Sequence, residues 1–188
     1  MEKSKSSSDV PGYIYTYEIR DSKAPTIKLK IGRAVNLVKR VDQWNKQCAS
    51  KEQVLRGWYP GTVDPDDDAD GGDSRMRGRA RAGPKGPLCH RLERLIHLEL
   101  ADLAVSGVYL NPRWPRVQAP PGTASGANGI GNGGTKPCVD CECFSCLSLH
   151  KEIFEFQRIT SGRNKGREFE AIVQPVIEKW SKFVETYV

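Results

Sequence analysis

Tyr13-Ile14-Tyr15-Thr16-Tyr17-Glu18-Ile19 and Thr26-Ile27-Lys28-Leu29-Lys30-Ile31 are the two runs whose reading decides the fold. The first is dense in aromatic and β-branched side chains, which suit a pleated strand. The second alternates, with Ile27, Leu29 and Ile31 on one side and Lys28 and Lys30 on the other, and predicts a half-buried strand. Asp21-Ser22-Lys23-Ala24-Pro25 supplies turn residues between them, so the two are expected to pair as a hairpin that ends at Gly32. Asn36 is a candidate N-cap for a helix to about Cys48, with Leu37, Val41 and Trp44 recurring at helical spacing. Gln53-Val54-Leu55-Arg56-Gly57-Trp58-Tyr59 reads as a third strand.

Beyond it the pattern breaks down. Pro60 to Pro87 holds an acidic cluster at Asp64–Asp70 and then Arg75, Arg77, Arg79 and Arg81 among small residues, and is expected to be a solvated insertion. Leu88 to Ala104 predicts the strongest helix. At about 100° per residue Leu88, Leu92, Leu95, Ile96, Leu100 and Leu103 share one face. His90, Glu93 and His97 fall on the opposite one, and Glu99 stands among the apolar positions. Asn111 to Pro137 is rich in Pro, Gly and Asn and reads as a second flexible insertion. Ile153 to Ile159 is a short strand. Arg167 to Tyr187 is an amphipathic helix that Pro175 is expected to kink or divide. The architecture that follows is α/β (α+β): one domain over residues 11–188, a small antiparallel sheet flanked by helices, behind a disordered tail at 1–10.

The composition bounds what such a domain can do. The chain has 188 residues with 29 Lys and Arg against 23 Asp and Glu, a net charge of +6. That excess favours polyanions, nucleic acid first. Mean hydropathy is −0.55. No apolar run approaches the roughly 20 residues needed to cross a bilayer, and the Lys/Ser-rich start lacks a signal-peptide core, so no membrane partner and an intracellular, nuclear or cytoplasmic, location are expected. Four of the six cysteines, Cys138, Cys141, Cys143 and Cys146, fall within nine residues and His150 follows, a spacing that points to zinc rather than disulfides.

Three motifs in order carry a resemblance. Tyr13-Ile14-Tyr15, then Lys30-Ile31-Gly32-Arg33 with Arg40 beyond it, resembles the GIY-YIG nuclease superfamily. The likeness is greatest to its phage and fungal branch, in which the second element commonly reads Lys-Ile-Gly-Arg. That branch also has a helix of the form matched by His90-Arg91-Leu92-Glu93-Arg94-Leu95-Ile96-His97, and a stretch matched by Cys143, Cys146, His150, Glu152 and Phe154. The resemblance covers residues 11–59, 88–104 and 138–157.

It implies a GIY-YIG-like fold and metal-dependent hydrolysis of a phosphodiester bond in DNA, in preference to RNA. Tyr15 would activate or orient the water, with Tyr13 as its substitute if the register slips by two. Arg40 would hold the phosphate, Glu93 would hold a Mg²⁺ or Mn²⁺ ion, and His97 and His90 would take part in proton transfer or bind phosphate. Arg33, Lys39 and Arg40 would contact the nucleic acid. Lys30 stands where the founding nucleases carry a tyrosine, and a lysine there can neutralise a phosphate or, at a lowered pKa, act as a base. Cys143, Cys146 and His150 would bind a structural zinc. Cys138 or Cys141 locally, or Cys89, His90 or His97 from the helix, would complete it. Two other readings stay open: a non-catalytic DNA-binding module, and a zinc-stabilised protein-interaction domain.

Overall fold

The computed structural model describes residues 9–21, 24–40, 43, 52–64, 79–117 and 152–187. Strands β1 (Tyr13–Ile19), β2 (Thr26–Ala34), β3 (Gln53–Tyr59) and β6 (Ile153–Gln157) form one sheet in the order β3-β1-β2-β6, with every pairing antiparallel. The hairpin expected of the first two runs forms with Tyr15 opposite Gly32 and Tyr17 opposite Lys30. A mixed α/β fold with a small antiparallel sheet is therefore what the chain adopts.

Alternation along β1 and β2 divides the side chains between two faces. Ile14, Ile27, Leu29 and Ile31, with Phe154 and Phe156 of β6, form the main core against helix α1 (Cys89–Ser106) and helix α2 (Gln174–Tyr187). Leu92, Ile96, Leu100, Ile172, Val176 and Val184 supply the helical side of that core. The opposite face carries a smaller cluster of Tyr15, Tyr17, Ala34, Leu37 and Trp58.

Several expectations are corrected. Gly32 does not end β2, which runs on to Ala34. The segment from Pro60 is not wholly irregular, because β4 (Gly61–Asp64) pairs with β5 (Arg79–Ala82) as a separate ribbon. It is tied to the sheet through Gly12, whose N–H and carbonyl exchange hydrogen bonds with those of Gly86 at 3.0 and 2.9 Å. Asp9, assigned to the disordered tail, instead caps α1. Its Oδ1 accepts from the amides of His90 and Arg91 at 3.0 and 3.2 Å, placing a carboxylate where the helix dipole favours one. The last strand stops at Gln157, two residues earlier than expected.

Pro175 does not divide the last helix. A π-turn, Phe169–Val173, runs straight into α2, and the amide of Gln174 reaches back to the carbonyl of Phe169. Proline has no N–H to offer the carbonyl four residues earlier, that of Ala171. Trp114 Nε1 supplies the missing donor at 2.7 Å. Trp114→Phe should therefore cost about 1–3 kcal/mol, the penalty for leaving a buried acceptor unpaired. Urea denaturation should show that adding Pro175→Ala to Trp114→Phe recovers part of that loss, because an alanine amide restores a donor.

Candidate active site

Tyr15, a fully buried residue of β1, lays its ring over Gly32 on the neighbouring strand. A Cβ at position 32 would lie 2.5 Å from the Tyr15 hydroxyl and 2.7 Å from Cζ. Glycine is thus demanded by the close approach of the phenol. Residues 37–40 are helical, and Asn36 caps them as expected, its Oδ1 accepting from the Lys39 amide at 3.1 Å. Leu37 is buried and fixes this turn against the tyrosine face. The turn delivers Arg40, whose Nε donates to Tyr15 Oη at 3.0 Å. Arg40 Nη1 makes a longer contact, 3.4 Å, to Gln43. Lys39 is exposed beside it.

Tyr13 lies on the same face, but its hydroxyl donates to the carbonyl of Gly83 at 2.8 Å and so holds the loop after β5. Of the two tyrosines offered by the sequence, Tyr15 is the one that meets Arg40.

The acidic side of the site gathers where β6 stops. β6 pairs with β2 as far as Lys30, the Glu152 carbonyl accepts from the Ile31 amide at 3.1 Å, and α1 meets this edge of β2 at the Ile31 carbonyl. His97 Nε2 bonds the carbonyl of Ile31 at 3.0 Å, which requires the proton to sit on Nε2, since a carbonyl only accepts. Glu93 Oε2 accepts from Arg33 Nε at 2.8 Å. Lys30, buried apart from 3% of its surface, pairs through Nζ with Glu152 Oε2 at 3.2 Å.

These groups sense one another. Burial pushes the Glu93 carboxyl up to about 7; the negative charge of Glu152 adds to the rise, and Arg33 opposes it. Burial pushes His97 below the usual histidine range, so its ring is neutral at neutral pH with Nδ1 as its unprotonated nitrogen. Lys30 leaves the sheet on the tyrosine face and Arg33 on the α1 face. The Lys30–Glu152 pair therefore links the two sides round the edge of β2.

The expected convergence is met in two parts. Tyr15 and Arg40 touch. Glu93 is bonded to Arg33, not to either of them. Arg33, expected to contact nucleic acid, is engaged with Glu93. His90 does not share the site: its side chain is exposed one turn before Glu93. The helical wheel placed Glu93 and His97 on the outer face of α1, yet Glu93 is buried and His97 half-buried, because that face turns to the β2 edge. Glu99, which stands among the apolar positions of α1, is held by Lys179 Nζ at 2.8 Å and Trp180 Nε1 at 2.6 Å. Glu152, given no role in the sequence reading, joins the site; its position two residues after His150, in a stretch otherwise read only for zinc, hid it.

Glu93 is the carboxylate that the resemblance assigns to a divalent cation, and here it is bonded to Arg33. Two carboxylates near enough for one to raise the other are the donors a hard cation prefers. Such an ion would take the place Arg33 fills. The expected zinc ligands Cys138, Cys141, Cys143, Cys146 and His150 lie outside the described residues. Among the described residues no group of three or more His, Cys, Asp or Glu could hold a metal. Cys89 does not suit zinc: its Sγ is buried 3.5 Å from the Tyr13 carbonyl, and burial with Glu93 pushes the thiol up to about 12.

The Glu93 carboxyl makes a pH-dependent prediction. A folded-state value near 7 against an ordinary 4.5 means that folding favours the protonated form. Wild-type stability from this group is then greatest below pH 4.5 and is lost as the pH rises through 7. Glu93→Gln imitates the protonated form and escapes that loss. In metal-free buffer its stability to urea should match wild type at about pH 4 and exceed it at about pH 8 by on the order of 3 kcal/mol.

The sequence model of a family described as Meiotically up-regulated gene 113 matches residues 26–109, less than half of the chain. That span runs from β2 through α1, so it takes in Lys30, Arg40 and Glu93 and leaves out Tyr15. Searches of the curated proteins and of the solved structures give no match. No helix among the described residues is long and apolar enough to cross a membrane. What the comparisons add to the geometry is thus a likeness, over the segment that carries Arg40 and Glu93, to the Meiotically up-regulated gene 113 family.

Proposed function

We propose that this protein binds nucleic acid and hydrolyses a phosphodiester bond of DNA, in preference to RNA, by GIY-YIG-type chemistry with Mg²⁺ or Mn²⁺. The observation that carries the reading is the Arg40 Nε–Tyr15 Oη bond of 3.0 Å over Gly32. A guanidinium anchored through Nε presents its terminal nitrogens as a planar fork, the shape that suits phosphate oxygens. In this reading Tyr15 orients or activates the attacking water while its oxygen accepts from Arg40. His97, neutral and protonated on Nε2, offers Nδ1 as a proton acceptor. A cation bound at Glu93 supplies positive charge for the leaving oxygen. Lys30 serves in this account by holding Glu152. A structural zinc on Cys143, Cys146 and His150, closed by Cys138 or Cys141, belongs to the same proposal.

A second reading, DNA binding without cleavage, is favoured by one contact: Arg33 occupies the Glu93 carboxylate at 2.8 Å. Supercoiled plasmid separates the two. Nicking that requires Mg²⁺ or Mn²⁺ and disappears in Glu93→Ala supports hydrolysis. Retardation of intact plasmid under the same conditions supports the binding module. Absence of retardation at low salt, where phosphate contacts are strongest, would sink both.

If hydrolysis holds, the proton on Glu93 competes with the cation. Below about pH 7 the Mg²⁺ concentration giving half-maximal nicking should climb by about tenfold per pH unit, and above that value it should level off.

A further inference from the structure

We propose that the loop from Thr160 to Arg167 is a second contact surface for the phosphate backbone of nucleic acid. The proposal rests on the nucleic-acid reading above and extends it to a surface that none of the three motifs includes. The loop reads Thr160-Ser161-Gly162-Arg163-Asn164-Lys165-Gly166-Arg167, three cations and no acid. Neither Arg163 nor Arg167 is shielded, and both are exposed at the surface with Lys165 between them. Among the described residues, none of the three has a side-chain hydrogen bond or ion pair, whereas Lys30, Arg33, Arg56, Lys179 and Arg20 are each paired with a carboxylate.

The loop that presents them is built rather than slack. Gly162 and Gly166 adopt φ of +77° and +67°, which L side chains rarely tolerate, and both face open space. Backbone bonds from Lys165 to Gly162 (3.2 Å), Gly166 to Ile159 (3.1 Å) and Arg167 to Asn164 (3.0 Å) close its turns. The carboxylate at its base, Glu168, is buried and accepts from the Ile159 amide at 2.8 Å, so it holds the loop in shape. Arg158 is likewise spent on structure, donating to the carbonyls of Ala24 and Asp21. Three cations on a shaped loop, without an ion pair among the described residues, attract a polyanion at little ordering cost.

Nucleic acid fits better than an anionic membrane. Thr160, Ser161 and Asn164 are hydrogen-bonding side chains of the kind that meet phosphate oxygens. The loop lacks the exposed apolar residue that would enter a lipid surface. It also follows β6 at the Thr26 end of β2, about 20 Å along that strand from Gly32 at roughly 3.3 Å per residue. It would thus add contacts separate from those of Arg40.

The test is the salt dependence of duplex-DNA binding by the full chain, read by fluorescence anisotropy. The variants are the triple substitution Arg163→Ala/Lys165→Ala/Arg167→Ala, the pair Arg163→Lys/Arg167→Lys, and Arg40→Ala. Thermal melting should be unchanged in both loop variants, since the turns are closed by backbone bonds. The slope of log affinity against log salt should fall by about 2 to 3 in the triple variant. It should stay at the wild-type value in the lysine pair and change by no more than about 1 in Arg40→Ala. A triple variant with wild-type slope overturns this inference and leaves the proposed function standing. Wild-type protein that fails to bind at low salt overturns both. A triple variant that keeps its DNA slope but no longer binds phosphatidylserine vesicles also overturns it, in favour of a lipid surface.

Discussion

Arg40→Ala should slow metal-dependent nicking by about a hundred- to a thousandfold, the loss typical of removing one preorganised donor from a site where negative charge develops. The effect is expected in turnover rather than in folding. Arg40 is half-buried on a short helical turn whose anchor is Leu37, so melting should change little. Arg40→Lys keeps the charge and loses the fork that, in the proposed reaction, would join Tyr15 to the phosphate. Its rate should lie nearer to alanine than to arginine. Single-turnover kinetics on supercoiled plasmid with saturating enzyme reads the loss; a variant as fast as wild type would mean that the Tyr15–Arg40 bond serves packing alone.

Gly32→Ala is the second substitution with a large expected effect, and it acts on stability and activity at once. The added Cβ would sit 2.5 Å from Tyr15 Oη. The phenol has nowhere to withdraw, because the Tyr15 ring is enclosed with Tyr17, Ala34, Leu37 and Trp58. Overpacking of this kind costs about 1–3 kcal/mol. Displacing the hydroxyl also breaks the Arg40 bond, so the surviving folded protein should be as slow as Tyr15→Phe. Chemical denaturation and nicking assays on the same preparation check both halves. An alanine variant with wild-type stability and rate would show that the ring moves aside freely.

Much of this was legible in the chain and some was not, for identifiable reasons. The alternation Ile27, Leu29, Ile31 made the hairpin legible because a one-residue slip would turn all three away from the core. That Tyr15 and Arg40 serve one site was implied by the resemblance, and the structure brings the two within a hydrogen bond. Gly32 misled because a glycine after a strand reads as punctuation, and only the ring of a residue on the partner strand reveals it as clearance. Glu93 misled in a similar way. The polar side of an amphipathic helix is read as solvent-facing, yet that side of α1 meets the edge of β2, where His97 bonds the Ile31 carbonyl. That contact is a tertiary one, which α1's own periodicity does not encode. Arg79-Ala80-Arg81-Ala82 alternates and was nevertheless read as part of a solvated insertion, because it lies among small and charged residues with no large apolar side chain of its own to mark a strand. Pro175 called for a break, and the remedy lay in Trp114, far earlier in the chain.

Tyr15, Arg40 and Glu93 are proposed to act on one phosphate, although Glu93 is bonded to Arg33 in the free protein. The most direct measurement is a double-mutant cycle of Arg40→Ala and Glu93→Ala in single-turnover plasmid cleavage. Groups that serve one transition state are strongly non-additive, so the double variant should be scarcely slower than either single one. Losses that multiply, or wild-type protein that binds plasmid and leaves it intact with Mg²⁺ and with Mn²⁺, would contradict the account.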